Sequence, residues 1–185
     1  MPDQKPITFV TMLGSLRKGS FNGVIARALP SMAPAGVTIK ALASVRDLPY
    51  YDADVQAEGF PAPVTAMADA IRAADGLIIV TPEYNYSVPG VLKNAIDWLS
   101  RLRDQPFAGK PIAIMSASQG LFGGARAHYH LRQSFVFLDG RVLNKPEVMV
   151  GQAQNKIAAD GTITDETTKT VIAAQLKAFA EMVRQ

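Results

Sequence analysis

Apolar positions along the chain fall into short dense runs, separated by longer stretches in which they recur at helical spacing. Residues 7–13 (ITFVTML) form a run rich in β-formers, and Gly14 stops it before a polar loop, 15–22. Residues 23–29 have helical character until Pro30, and 37–42 alternate well enough for a second strand. The segment 46–60 reads as irregular. Pro61 and Pro63 fit a first helical turn, with Val64, Met67, Ala68 and Ile71 at helical spacing up to Ala74. A third strand, 76–80, follows.

The pattern then repeats: a loop, 81–88, a helix, 89–102, and a fourth strand, 111–116. A loop holding Gly120, Gly123 and Gly124 leads into a helix over 125–138 and a fifth strand around 141–150. Asp160-Gly161 signals a turn, and Thr164 is expected to cap the last helix, with Asp165 and Glu166 at its positive end. Five strands alternating with five helices predict an α/β domain with a parallel sheet covered on both faces. Ligands of such sheets bind beyond the carboxyl ends of the strands, where the strand order reverses. No repeat or linker divides the chain, so residues 1–185 are expected to form one domain.

Composition narrows the chemistry. The 19 basic and 16 acidic side chains, net +3, are scattered without runs, which argues against nucleic acid as a partner. No stretch reaches the roughly 20 apolar residues of a membrane span, and the opening MPDQKPITFV has no long apolar segment of a leader. A cytoplasmic protein is expected. With no cysteine, thiolate catalysis and sulfur-ligated metals are excluded, so redox chemistry would have to come from a bound cofactor. The two histidines, His128 and His130, point apart at i,i+2 on a helix, which speaks against a shared metal site and predicts surface or interface positions.

The loop Gly14-Ser15-Leu16-Arg17-Lys18-Gly19-Ser20-Phe21-Asn22 joins the first strand to the first helix, where converging N–H groups and the helix dipole favour an anion. Ser15 and Ser20 can donate to phosphate oxygens, Arg17 can add a charge-assisted contact, and Asn22 can cap the helix or complete the ring of donors. Gly14 and Gly19 have P-loop spacing, but Ser20 stands where that loop requires lysine. G-x-G-x-x-G is absent, and no acidic residue closes the second strand to hold a ribose. A phosphate monoester fits best; an ordinary polar turn with a Ser or Asn cap is the alternative.

The second motif, Thr81-Pro82-Glu83-Tyr84-Asn85-Tyr86-Ser87-Val88-Pro89-Gly90, follows the third strand and faces the same crevice. Two tyrosines, an amide and stiffening prolines suit a flat ring with a polar edge, such as a flavin, although either tyrosine can simply pack beneath the loop. In the helix after it, Leu92, Ile96 and Leu99 form a core stripe and Trp98 reads as a packing anchor. Asp97 and Arg101, at i,i+4, form a surface pair, or else Arg101 turns to the crevice to meet an anionic acceptor or a nicotinamide phosphate.

Both motifs, continuing through Lys93-Asn94-Ala95-Ile96-Asp97-Trp98, closely resemble those of the NADPH-dependent FMN reductase family, in particular its bacterial chromate and quinone reductase branch. The similarity runs from the first strand to about Pro146. It implies a flavodoxin-like three-layer fold with a five-stranded parallel sheet in the order 2-1-3-4-5. By the same resemblance Ser15, Arg17, Ser20, Phe21 and Asn22 hold the FMN phosphate end, and Pro82, Glu83, Tyr84, Asn85 and Tyr86 line the isoalloxazine ring. Ser116, Ala117, Ser118 and Gly120 form the third wall. Members are usually dimers or tetramers. Here the helix 125–138, with Tyr129, Phe135 and Phe137, reads equally as an interface or as core.

The expected activity is FMN-dependent transfer of electrons from NADPH or NADH to quinones, and to chromate-like oxyanions or dyes. The flavin carries such chemistry, so no side chain need act as acid or base. A flavodoxin-type carrier and a binder of some other phosphate ligand are the competing readings. Carriers are usually strongly acidic, whereas this chain is mildly basic, which favours the enzyme.

Overall fold

The computed structural model describes residues 5–185, so the first four residues of the opening stretch lie outside the described residues. The strands are β1 (Ile7–Leu13), β2 (Val37–Ala41), β3 (Gly76–Thr81), β4 (Pro111–Ala117), β5 (Arg141–Val142) and β6 (Val148–Val150). All pair in parallel, in the order β2-β1-β3-β4-β5, with β6 also on β4. This is the expected flavodoxin-like order. Because β1 has β2 on one side and β3 on the other, the chain reverses direction across the sheet at β1/β3 and opens a crevice there.

The fifth strand differs from expectation. It is two short pieces separated by Asn144-Lys145-Pro146, where a proline has no N–H to give to a ladder. Both pieces use β4 as partner, β5 beside Pro111-Ile112 and β6 beside Met115–Ala117. Among the described residues the sheet therefore has six strands.

Among the described residues six helices rather than five pack around it: α1 (Phe21–Ala28), α2 (Ala53–Glu58), α3 (Ala62–Ala73), α4 (Gly90–Ser100), α5 (Ala125–Phe137) and α6 (Glu166–Arg184). Helix α2 falls in the stretch read as irregular. Asp52 caps it, but none of its residues is buried, so it leaves no apolar periodicity to read. A 3-10 turn over Val45–Asp47 also lies in that stretch. The first helix ends at Ala28, just ahead of Pro30 as expected, and Pro30 itself sits in a following 3-10 turn, Leu29–Met32. Helix α6 is capped by Asp165, which accepts from Thr168 N, while Thr164 donates instead to the Lys156 carbonyl.

Two apolar layers sandwich the sheet. On one face Phe9, Ile78 and Met115 meet Ile25 of α1 and Phe179 of α6, with the Phe9 and Phe179 rings 4.4 Å apart. On the other, Met12, Leu77 and Ile114 meet Met67 of α3, Leu92 of α4 and Phe135 of α5. Trp98 is fully buried against Tyr51 and Phe60, its Nε1 donating to the Pro49 carbonyl at 2.8 Å, as a packing anchor should. Among the described residues no helix is long and apolar enough to cross a membrane.

Candidate functional site

Strand β1 delivers the first loop to the crevice. Gly14 continues the pairing, its N–H donating to the Val80 carbonyl at 2.9 Å, and a Cβ there would come within 2.8 Å of Thr81 Oγ1 and 2.9 Å of Leu92. Only glycine lets the chain leave the sheet so close to β3. Ser20 is the N-cap of α1; its hydroxyl accepts from Gly23 N, which leaves the O–H free to donate outward beside the positive helix end. Arg17 stands at the rim with its guanidinium 5.8 Å from the Phe21 ring.

Asn22 has another partner set. It is buried, its Nδ2 donating to the Ala117 carbonyl at 2.9 Å and its Oδ1 accepting from Ala117 N at 2.8 Å, so it copies a strand partner and ties α1 to the end of β4. Ser15 is buried as well. It lines a separate cavity of about 400 Å³ beneath α1, along with Thr11 and Arg27, and among the described residues its Oγ has no hydrogen-bond partner.

After β3, the loop folds into a tight turn in which Tyr84 and Ser87 exchange backbone hydrogen bonds of 3.0 Å. Asn85 (φ 47°) and Tyr86 (φ 72°) both occupy the left-handed region, the signature of a primed two-residue turn usually given to Asn-Gly. Tyr84 and Tyr86 are at least half exposed. Glu83 reaches α5, accepting from Arg126 N and Nη1 at 3.0 Å and from Ala127 N at 3.3 Å. Ser87 Oγ and His130 Nδ1 share a hydrogen bond of 2.8 Å.

The end of β4 supplies the third wall. Ser116 is buried beneath it and donates to the Gly123 carbonyl, while Ser118 Oγ donates to the Gly120 carbonyl at 3.2 Å. The three loops enclose an open cleft of about 330 Å³. Arg17, Ser20, Phe21 and Asn22 line it from the first loop, Pro82, Glu83 and Tyr84 from the second, and Ala117, Ser118 and Gln119 from the third. Gln119 was not singled out in the sequence; its position between Ser118 and Gly120 was the available signal. Asn85, Tyr86, Ser116 and Gly120 stand just behind or beside this lining.

Arg101 is placed elsewhere. Helix α4 starts at the cleft and runs away from it, and Arg101 caps its far end with the guanidinium 5.1 Å from the Tyr51 ring. Asp97 pairs with Lys93 at 2.7 Å instead of Arg101. His128, expected at the surface or at an interface, is instead fully buried on α5 within the chain, and among the described residues neither ring nitrogen has a hydrogen-bond partner. Burial, reinforced by the Arg132 charge, holds its pKa down at about 4. His130 is exposed. The helix expected to be either interface or core puts Phe135 in the core and leaves Tyr129 and Phe137 facing outward.

A crevice of this kind, with an anion-favouring helix start at one end and a tyrosine-bearing turn at the other, is that of a phosphorylated planar ligand. Comparison with known proteins agrees. The chain is 61% identical over 178 residues to a quinone reductase of Escherichia coli, covering 95% of each protein. It is 52% identical over 172 residues to an NAD(P)H-dependent FMN reductase of Pseudomonas aeruginosa, covering 93% of this chain and 92% of that one. Among solved structures, the flavoenzyme NAD(P)H:(acceptor) oxidoreductase FerB of Paracoccus denitrificans superposes with a TM-score of 0.86 at 34% identity, over 96% of this chain and 97% of its own. The sequence pattern of one family spans residues 7–155, and the chain belongs to that family, the NADPH-dependent FMN reductases.

Proposed function

We propose that the chain is an FMN-dependent NAD(P)H oxidoreductase that reduces quinones, with chromate-like oxyanions and dyes as further acceptors. The carrying observation is the cleft that gathers Arg17 and Ser20, the Tyr84 turn and the Ala117–Gln119 wall at the carboxyl ends of β1, β3 and β4. The names of the relatives, quinone reductase among them, support the acceptor class.

The donor set fits FMN. Ser20 offers a hydroxyl proton and Arg17 a guanidinium at the start of α1, which suits a terminal phosphate. Pro82, Glu83 and Tyr84 with the adjoining Asn85 and Tyr86 present a stiff wall for a flat ring, and Ala117, Ser118 and Gly120 with Gln119 close the other side. Bound there, FMN supplies hydride acceptance from the nicotinamide and electron release to the acceptor. The side chains bind and orient. A shallow, open cleft suits exchange of nicotinamide and acceptor over one ring face. Ser15 belongs to the phosphate loop by position, through its backbone, since its side chain lines the separate cavity beneath α1 and not the cleft, and Arg101 is no part of this reading.

The reading includes a homodimer or homotetramer joined through the outer face of α5, and a cytoplasmic location, where reduced nicotinamides are available. The test is purification followed by an absorption spectrum and steady-state NADH and NADPH oxidation with benzoquinone. Yellow protein with turnover is expected. A colourless preparation that takes up no added FMN overturns the proposal, and flavin without turnover moves it to an electron carrier.

A further inference from the structure

Glu83 lines the cleft, yet both of its carboxylate oxygens are engaged with α5. Oε2 accepts from the second and third N–H groups of that helix, Arg126 and Ala127, and Oε1 accepts from Arg126 Nη1. The helix has no cap of its own. Its N-cap is Gly124 in the left-handed region (φ 94°), where a Cβ would press within 2.8 Å of Ser116 Oγ, so no Ser, Asp or Asn fits and a carboxylate from another loop takes the role.

The Arg126 guanidinium, held on one edge by Glu83, also lies against two aromatic rings. Its Cζ is 4.0 Å from the centroid of Tyr86 and 4.6 Å from that of Phe122. Tyr86 is one of the two consecutive left-handed residues, a conformation that persists only where its surroundings hold it. One arginine thus grips the turn at two points: Glu83 just before it and Tyr86 within it.

We infer that Glu83 and Arg126 are positioning residues, a clamp that fixes the strained Tyr84–Ser87 turn onto the start of α5 and so sets the wall of the ring site. The clamp is a property of the turn itself. Its bearing on flavin rests on the proposed function above.

Two substitutions open the clamp and leave the helix cap in place. In Glu83→Gln the amide oxygen still accepts from the α5 N–H groups, but its NH₂ meets the guanidinium donor to donor. In Arg126→Ala the carboxylate still caps, and Tyr86 loses its stacking partner. Amide hydrogen exchange on the flavin-free protein is expected to quicken at Tyr84 and Ser87 by about tenfold or more in both variants, with far-UV dichroism unchanged. FMN affinity is expected to fall by about tenfold in each single variant and no further in the double, with a changed visible dichroism of the bound flavin. Arg126→Lys keeps the charge without the planar stack and should recover only part of the loss. Arg72→Ala, which breaks two ion pairs at the surface, to Asp69 and to Asp104, serves as the control with neither effect. Unchanged exchange at Tyr84 and Ser87 overturns the clamp, and so do additive losses in the double variant. Should the wild-type protein bind no FMN, the exchange measurement still decides the clamp while the flavin reading alone falls.

Discussion

An imidazole with no exposed surface and, among the described residues, no partner for either nitrogen resists protonation, which makes His128 a residue sensitive to acid. Its pKa in the fold is about 4, against an ordinary value of 6.5. The unfolded chain therefore binds a proton that the folded one refuses, and stability is lost as pH falls from 6.5 toward 4. The gap corresponds to roughly 3 kcal/mol at the acid end, at 1.36 kcal/mol for each factor of ten. Urea unfolding at a series of pH values should show that slope in the wild type and a flattened one in His128→Gln; parallel profiles would sink the assignment. A second expectation concerns the phosphate loop. Removing the guanidinium and the hydroxyl together, in Arg17→Ala with Ser20→Ala, takes away two contacts of which one is charge-assisted, so FMN should bind roughly a hundredfold more weakly. Retention of flavin at wild-type affinity would place the phosphate elsewhere. The placement of Arg17 and Ser20 on the cleft was legible in the sequence because a strand-to-helix loop has one obvious anion-facing end. Burial of His128 was not, since i,i+2 spacing says that two side chains diverge and nothing about which of them points inward.

Elements buried on both faces were the most legible. Residues 76–80 read as a strand because they are continuously apolar, and the structure buries every one of them. What escaped was decided by contacts distant in sequence or by the absence of a pattern. Helix α2 has no buried face, and the split of the last strand depends on β4 offering its two ends to β5 and β6 separately. Asn22 shows the same for the site: at a helix start it reads as a cap or phosphate donor, yet its amide is committed to Ala117, far along the chain. It carries a prediction on how elements are joined. In Asn22→Ala both backbone groups of Ala117 lose a partner in a buried place, at about 1–3 kcal/mol apiece, against about 1 kcal/mol for an ordinary cap. Denaturant titration should rank Asn22→Ala well below Ser20→Ala in stability. Equal losses would mean that the α1–β4 tie contributes little.

Helix α5 connects the cleft to the outside of the molecule. Its inner positions, Ala127, His128, Leu131 and Phe135, are buried, whereas Tyr129, Val136 and Phe137 are 54%, 81% and 91% exposed. Leu121 and Phe122, just before the helix, are also exposed, so large apolar groups extend from the cleft along its outer side. An aggregate of exposed aromatic and aliphatic side chains on one element is costly in water, which is why the proposed assembly uses this face. Spacing along α5 puts Tyr129, Gln133, Val136 and Phe137 on one stripe, which a second copy of the same helix can meet about a two-fold axis, each apolar group covering its counterpart. A charge at the centre of such a contact would appear twice, close to itself and out of water. Val136→Glu with Phe137→Glu is therefore expected to convert a dimer or tetramer into a smaller species, read by light scattering during gel filtration. Both positions are outside the core, so the variant should keep its melting behaviour as an isolated chain and its circular dichroism. Because α5 also holds the Tyr84–Ser87 turn through Glu83 and Ser87, the dissociated species should bind FMN more weakly than the assembly does. A wild-type protein that runs at the mass of one chain removes α5 as an assembly surface, and an unaltered oligomer in the double variant moves the contact to another face.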